Sequence, residues 1–266
     1  MTIFGILNAR AGIGIGRLIN NFILGTLTYL FLVISAMILI EILRLSQASL
    51  SVSRLTIKRA RMLFGVIFRI SIAVATYHSI ITNLSFYIVI VAVIIGIIWI
   101  SLAYYASFGK KSGLVVNIII SLSFSMGLMY GAVITNYVVP SFIYSFLLAA
   151  FFLQFAREIV KGCKNVEDKK SEDFEPLALT YGTTKALKFS LYFQMTAVIF
   201  LILPIFTNIL NATLYFFAMI AGIIVISSAT YLTAKSKPKN RNLKKINFFL
   251  KIGILVELIA FLFASV

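Results

Sequence analysis

Negative charge is scarce in this chain. Of its 266 residues only 8 are Asp or Glu, against 24 Lys and Arg. Cysteine is limited to Cys163, which excludes an internal disulfide framework and a cysteine metal cluster. Histidine is limited to His78, with no second histidine or nearby carboxylate, so it reads as a polar contact near the end of a helix rather than a metal ligand. The apolar and polar alternation of strand period is absent, which argues against a β-barrel. No basic surface interleaved with aromatics stands in a soluble module, so the net charge of +16 does not point to nucleic acid. No cleavable signal pattern opens the chain, and the first apolar segment is expected to stay in the mature protein.

Apolar residues are abundant instead. They make up 61% of the chain, with a mean hydropathy of +1.04 and only 12% charged residues. Those values belong to a polytopic integral membrane protein. A crossing takes about 20 helical residues. Apolar runs of that size are predicted near residues 62–81, 84–106, 113–135, 139–160, 185–205, 210–232 and 247–265. The first 45 residues hold either two short spans with a turn near Gly25, or one long tilted helix preceded by an interfacial one. Arg10 and Arg17 favour a cytoplasmic N-terminus, as Arg44, Arg54, Lys58, Arg59 and Arg61 do for the loop that follows, and an even number of crossings then separates the two. The predicted fold is therefore an all-α, polytopic transmembrane helix bundle of nine spans, eight being the alternative, in a single domain over residues 1–266. Its charged loops, near 44–61, 107–112, 161–184 and 233–246, are expected in the cytoplasm, and the uncharged ones around Asn83, Asn136 and Asn208 outside.

Several isolated residues invite a role. Gly12, Gly14 and Gly16 imitate a dinucleotide turn, but no strand precedes them, and close packing of membrane helices is the better expectation. Glu257 falls in the middle of the last span, a costly place for charge, and is expected to pair with a polar neighbour, a proton-linked role being the alternative. Arg69 is expected to snorkel to the interface, and Trp99 to anchor there.

The densest chemistry lies in residues 157–182, REIVKGCKNVEDKKSEDFEPLALTYG, which hold six of the acidic residues: Glu158, Glu167, Asp168, Glu172, Asp173 and Glu175. If the preceding helix continues, Arg157, Lys161, Asn165 and Asp168 share one face. Two cations, an amide and a carboxylate suit an anionic ligand, with or without a bridging Mg²⁺. The same residues also suit an amphipathic helix that flanks the membrane.

This stretch resembles the second aspartate-rich region of the UbiA-type intramembrane prenyltransferases, most of all the archaeal digeranylgeranylglyceryl phosphate synthases. Arg157 to Gly162 matches position by position, and Leu177 to Gly182 closes the register. A second likeness lies in YYASFGKKSGLVVN, through Tyr104, Tyr105, Lys110, Lys111, Gly113 and Asn117. Weaker ones are Arg17-Leu18-Ile19-Asn20 and Ser53-Arg54-Leu55-Thr56. The resemblance implies that an isoprenoid diphosphate, geranylgeranyl by analogy, ionises and is captured by a membrane-associated acceptor such as a geranylgeranylglyceryl phosphate. It implies diphosphate binding by Lys110, Lys111, Arg157, Lys161 and Arg54, a substrate pocket with Asn20, Tyr104, Tyr105 and Asn117, and Mg²⁺ near Glu41, Asn165, Glu167 and Asp168. The chain departs from the family pattern where aspartates are expected. Asn165 and Lys169 stand in the second motif, and Arg44 and Ala48 follow Glu41 in the first. Two outcomes follow from this. Cations replace part of the work of Mg²⁺ in an active enzyme, or the fold is kept as a binder of lipid or isoprenoid diphosphate without transfer. A transporter would show an internal repeat with broken helices, and none is visible.

Overall fold

A computed structural model describes residues 1–10, 13–47, 54–82, 87–107, 112–135, 139–168, 177–207, 212–235 and 238–264. They divide into two compact units, Met1–Val139 and Pro140–Val266.

The first unit opens with the short helix α1 (Thr2–Asn8). A continuous helix then runs through α2 (Ile15–Asn20), a widened π turn (Asn21–Gly25) and α3 (Thr26–Gln47). Of the two arrangements open for the first 45 residues, the structure has the single long helix and not two crossings, because the chain passes Gly25 without turning back. The π turn buries Asn21 and Gly25 against neighbouring helices. α4 (Arg54–Thr82), α5 (Tyr87–Ser107) and α6 (Ser112–Thr135) complete this unit.

Polar groups inside an apolar unit favour partners, and several here find them between helices. Asn21 donates to the carbonyl of Ile134 at 3.2 Å and its Oδ1 lies 2.9 Å from Nε2 of His78 on α4, so His78 makes the polar contact expected of it. Ser71 donates to the carbonyl of Thr28 at 3.1 Å, and Tyr29 to that of Ser123 at 2.8 Å. Trp99 is not an interface anchor. It is buried, its ring edge-on to Tyr29 with centroids 6.5 Å apart.

Close packing of small residues occurs elsewhere than expected. A Cβ on Gly14 or Gly16 would meet nothing within 4 Å, and Gly12 lies outside the described residues. The close approach is between α1 and α6. There a Cβ on Gly5 would collide with the carbonyl oxygen of Leu128, and one on Gly131 with that of Thr2.

The second unit consists of α7 (Ser141–Glu167), α8 (Leu177–Tyr181), α9 (Thr183–Ile202), α10 (Ala212–Lys235) and α11 (Asn240–Phe263). α7 packs on α9, α10 on α11, and α11 returns to α7. Phe146 sits in the core, stacked on Phe261 at 4.1 Å and tilted against Tyr215 at 5.5 Å. Gly182, between α8 and α9, has φ +82°, a left-handed conformation that glycine adopts without strain, which accounts for a glycine at the end of the Leu-rich run. Glu257 overturns its expected pairing. Both of its carboxyl oxygens are buried without a hydrogen-bond partner, because the Tyr215 hydroxyl, with which it interacts, gives its proton to the carbonyl of Leu201.

Seven of the described helices are long and apolar enough to cross a bilayer, and Ile88–Ile100 forms a shorter apolar helix. On α5, Ile88, Ala92, Ile95 and Trp99 are buried, whereas Ile90, Ile94 and Ile97 on the opposite side are at least 50% exposed. A helix apolar all round, with one such side uncovered, fits lipid rather than water. The protein is an all-helical integral membrane protein. Nine crossings are not all seen, since one helix stands where two were expected.

Candidate functional site

The charged site grows out of the packing of α7. Ala149, Leu153, Ala156, Val160 and Cys163 alternate at spacings of four and three, and all are buried. That stripe fixes the rotation of the helix and places Gln154, Arg157, Glu158 and Lys161 beside it. Glu158 is the hub of the arrangement. Its Oε1 accepts from Gln154 Nε2 at 3.1 Å and from Arg157 Nη1 at 3.2 Å, while Oε2 accepts from Lys161 Nζ at 3.2 Å. Arg157 Nη1 also reaches Gln154 Oε1 at 3.4 Å.

Burial is graded across this cluster. The Glu158 side chain is 5% exposed, Arg157 20% and Lys161 51%. A carboxylate at such depth is tolerated only when paired, and here two cations pair with it. The three ionic groups sum to one net positive charge. Arg157 Nε is buried with no acceptor, so the guanidinium keeps an unused donor, and half of Lys161 faces outward. The cluster is therefore suited to hold an anion at its open side.

A polar thread anchors α7 from behind. Ser190 of α9 donates to the carbonyl of Ala156 at 2.9 Å, and Gln194 Nε2 donates to Ser190 Oγ at 3.0 Å and to Thr233 Oγ1 of α10 at 3.2 Å. On the same side of α7 as Glu158, Phe151 and Phe155 stack at 5.8 Å, and Phe155 meets Phe193 of α9 edge-on at 4.8 Å. The charged cluster thus borders an aromatic wall. At the end of α7, Asp168 Oδ1 accepts a hydrogen bond from Asn240 Nδ2 at the start of α11.

The model of the UbiA prenyltransferase family matches residues 47–253. The chain belongs to that family. It is similar to the digeranylgeranylglyceryl phosphate synthase of Methanosphaera stadtmanae, 28% identical over 208 residues that cover 78% of this chain and 72% of that protein. The synthase of Saccharolobus solfataricus is 26% identical over 219 residues, covering 80% of this chain and 71% of that one. A solved structure reported for digeranylgeranylglyceryl phosphate synthase in membranes shares the fold. Its TM-score is 0.74 at 20% identity, over 99% of this chain and 90% of that chain.

Of the residues expected at a UbiA site, the structure brings together Arg157 and Lys161, through Glu158. Asn165 is half-buried on the same helix and Glu167 is exposed at its end. Asp168 is held by Asn240. In the first unit, Asn20 ends α2 half-buried and Glu41 is exposed on α3, about 30 Å further along the same continuous helix. Asn117 is half-buried on α6. Arg54 is the first residue of α4, and Tyr104 and Tyr105 lie in the last turns of α5. Lys110 and Lys111 lie outside the described residues.

The UbiA resemblance implies Mg²⁺, and the described carboxylates do not fit it. Among the described residues no three His, Cys, Asp or Glu side chains gather where an ion could sit. Glu158 is occupied by two cations and Asp168 by an amide, whereas Mg²⁺ asks for hard oxygens converging on one point. Glu172, Asp173 and Glu175 lie outside the described residues.

Proposed function

We propose that this UbiA family member transfers an isoprenoid, geranylgeranyl by analogy with its relatives, from the diphosphate to a membrane-associated acceptor of the geranylgeranylglyceryl phosphate kind. The observation that carries the proposal is the Arg157, Glu158 and Lys161 cluster, which stands inside the stretch matched to the family and borders an aromatic wall. The bond between the allylic carbon and the diphosphate oxygen breaks, and its electron pair leaves with the diphosphate. An acceptor hydroxyl then bonds to the carbon and releases its proton. Lys161, half exposed, and the Arg157 guanidinium charge beside it offset the charge growing on the leaving group, and the neighbouring aromatic side chains favour the cation. Burial among apolar helices keeps water from the cation. The charged loops and the N-terminus are proposed to face the cytoplasm, following the distribution of Lys and Arg.

A second reading is binding of an isoprenoid diphosphate or lipid without transfer. It is favoured by Asn165 and Lys169, which stand where the family pattern has aspartates, and by the engagement of Glu158 and Asp168. One assay separates the two. Purified protein in lipid is given radiolabelled geranylgeranyl diphosphate and several acceptors, with and without Mg²⁺. Product formation that depends on Lys161 supports transfer, whereas tight diphosphate binding with no product from any acceptor leaves only the binding function.

A further inference from the structure

A groove of about 540 Å³ lies between α10 and α11, lined by Ser227, Ser228, Tyr231, Leu232, Lys245 and Phe249. It sits at the basic end of the helix pair. Residues 233–246 carry Lys235, Lys237, Lys239, Arg241, Lys244 and Lys245, and no acidic residue.

The lining has two characters. Ser228 and Tyr231 of α10 line it at i and i+3 together with Lys245 of α11, and Lys235 follows Tyr231 one turn further along α10, beyond the lining. Lys235 Nζ donates to the Tyr231 hydroxyl at 3.0 Å and lies 5.4 Å from the ring centre, so that hydroxyl keeps its own proton to donate. Ser228 spends its proton on the carbonyl of Ile224 at 2.8 Å and retains free lone pairs. Lys245 is exposed and, among the described residues, takes part in no ion pair. Leu232 and Phe249 supply apolar walls. From Leu232 to Ser227 the groove descends about 7.5 Å along the helix. That depth carries it through a headgroup layer and onto the acyl boundary.

We propose that this groove holds an anionic phospholipid of the surrounding membrane, with its phosphate between Lys245 and the Tyr231 hydroxyl and its first methylenes against Leu232 and Phe249. Charge complementarity selects the occupant. The lining holds Lys245 and no carboxylate, and Asp168, which reaches this end of the helix pair, is engaged by Asn240. Such a lining attracts a phosphate, and the apolar walls add a requirement for an attached chain that a free anion does not meet.

Native mass spectrometry of the full-length protein tests the proposal, with dioleoyl phosphatidylglycerol and dioleoyl phosphatidylcholine as competing probes. The wild type is expected to retain phosphatidylglycerol about fivefold over phosphatidylcholine. Lys245→Gln should bring the two to parity and Lys245→Arg should keep the preference. A thermal melt of each variant confirms that the fold is intact. Equal retention of both lipids by the wild type, or an unchanged preference in Lys245→Gln, overturns the proposal. Displacement of phosphatidylglycerol by millimolar inorganic phosphate also overturns it, because the groove would then read the ion alone. So does displacement by geranylgeranyl diphosphate that requires Lys245, which would assign the groove to substrate. The readout is lipid retention, so it stands or falls separately from prenyl transfer.

Discussion

Asp168 and Asn240 are bound side chain to side chain, joining the last turn of the charged helix to the first residue of α11, 72 positions further along the chain. The carboxylate nearest to the motif's metal positions is thereby committed to a structural contact.

Asn240→Ala and Asp168→Ala are each expected to lower stability by about 1 to 2 kcal/mol, as loss of a hydrogen bond to a charged group does. The double variant should lose less than the sum, with a coupling of at least 0.5 kcal/mol. Thermal unfolding in detergent across the four proteins measures it, and full additivity would dissolve the link.

Lys161→Gln removes the more exposed cation on Glu158, and geranylgeranyl diphosphate should bind about tenfold more weakly, a loss of about 1.4 kcal/mol. Arg157→Lys should weaken binding as well. A single guanidinium nitrogen, Nη1, holds both Gln154 and Glu158, which leaves the charge of the group spread over its other nitrogens, whereas a lysine ammonium tied to the same two oxygens concentrates its charge there. Titration calorimetry of the folded variants reads both effects, and unaltered affinity in both would move the diphosphate elsewhere.

Gly131→Ala should destabilise the protein by about 2 kcal/mol, because a Cβ there meets the backbone of Thr2, which cannot yield as a side-chain tip would. Gly16→Ala serves as the control. Its Cβ meets nothing within 4 Å, and the helix gains slightly from the loss of glycine flexibility. The contrast appears in melting temperature.

Glu257→Met is expected to raise stability by about 1 to 2 kcal/mol. It replaces a carboxyl whose two oxygens are buried and unpartnered with an apolar group of similar size. A drop in stability would show that Glu257 has a partner under membrane conditions.

The sequence reveals much of the fold through charge and hydropathy. The run predicted at 113–135 corresponds to Ser112–Thr135, and that at 185–205 to Thr183–Phe206 with its final turn at Pro204. Other boundaries move outward. α4 begins at Arg54 rather than at 62, and α11 at Asn240 rather than at 247. Lys and Arg are good helix formers and prolong a helix beyond the apolar run that hydropathy detects. The two readings of residues 3–45 have the same hydropathy, and only the packing of Asn21 and Gly25 against α4 and α6 decides for one continuous helix. At the site, the spacing of Arg157 and Lys161 was legible and the role of Glu158 was not. Its interval to Gln154 and Lys161, four residues back and three forward, is the signal that could have found it. Ser190 and Gln194, four apart within an apolar run, carried a similar hint.

The thread from Ala156 through Ser190 and Gln194 to Thr233 divides α9 lengthwise into two histories. One edge is written in hydrogen bonds, and a change at Ser190 or Gln194 disturbs three helices at once. The other edge, with Tyr192 and Met195 exposed and Phe189 meeting Tyr181 of α8 edge-on, answers mainly to the lipid around it. Sequences descended from this one should drift freely along the second edge while the first stays nearly still, so the rotation of α9 behind Arg157 is inherited even where its composition is not.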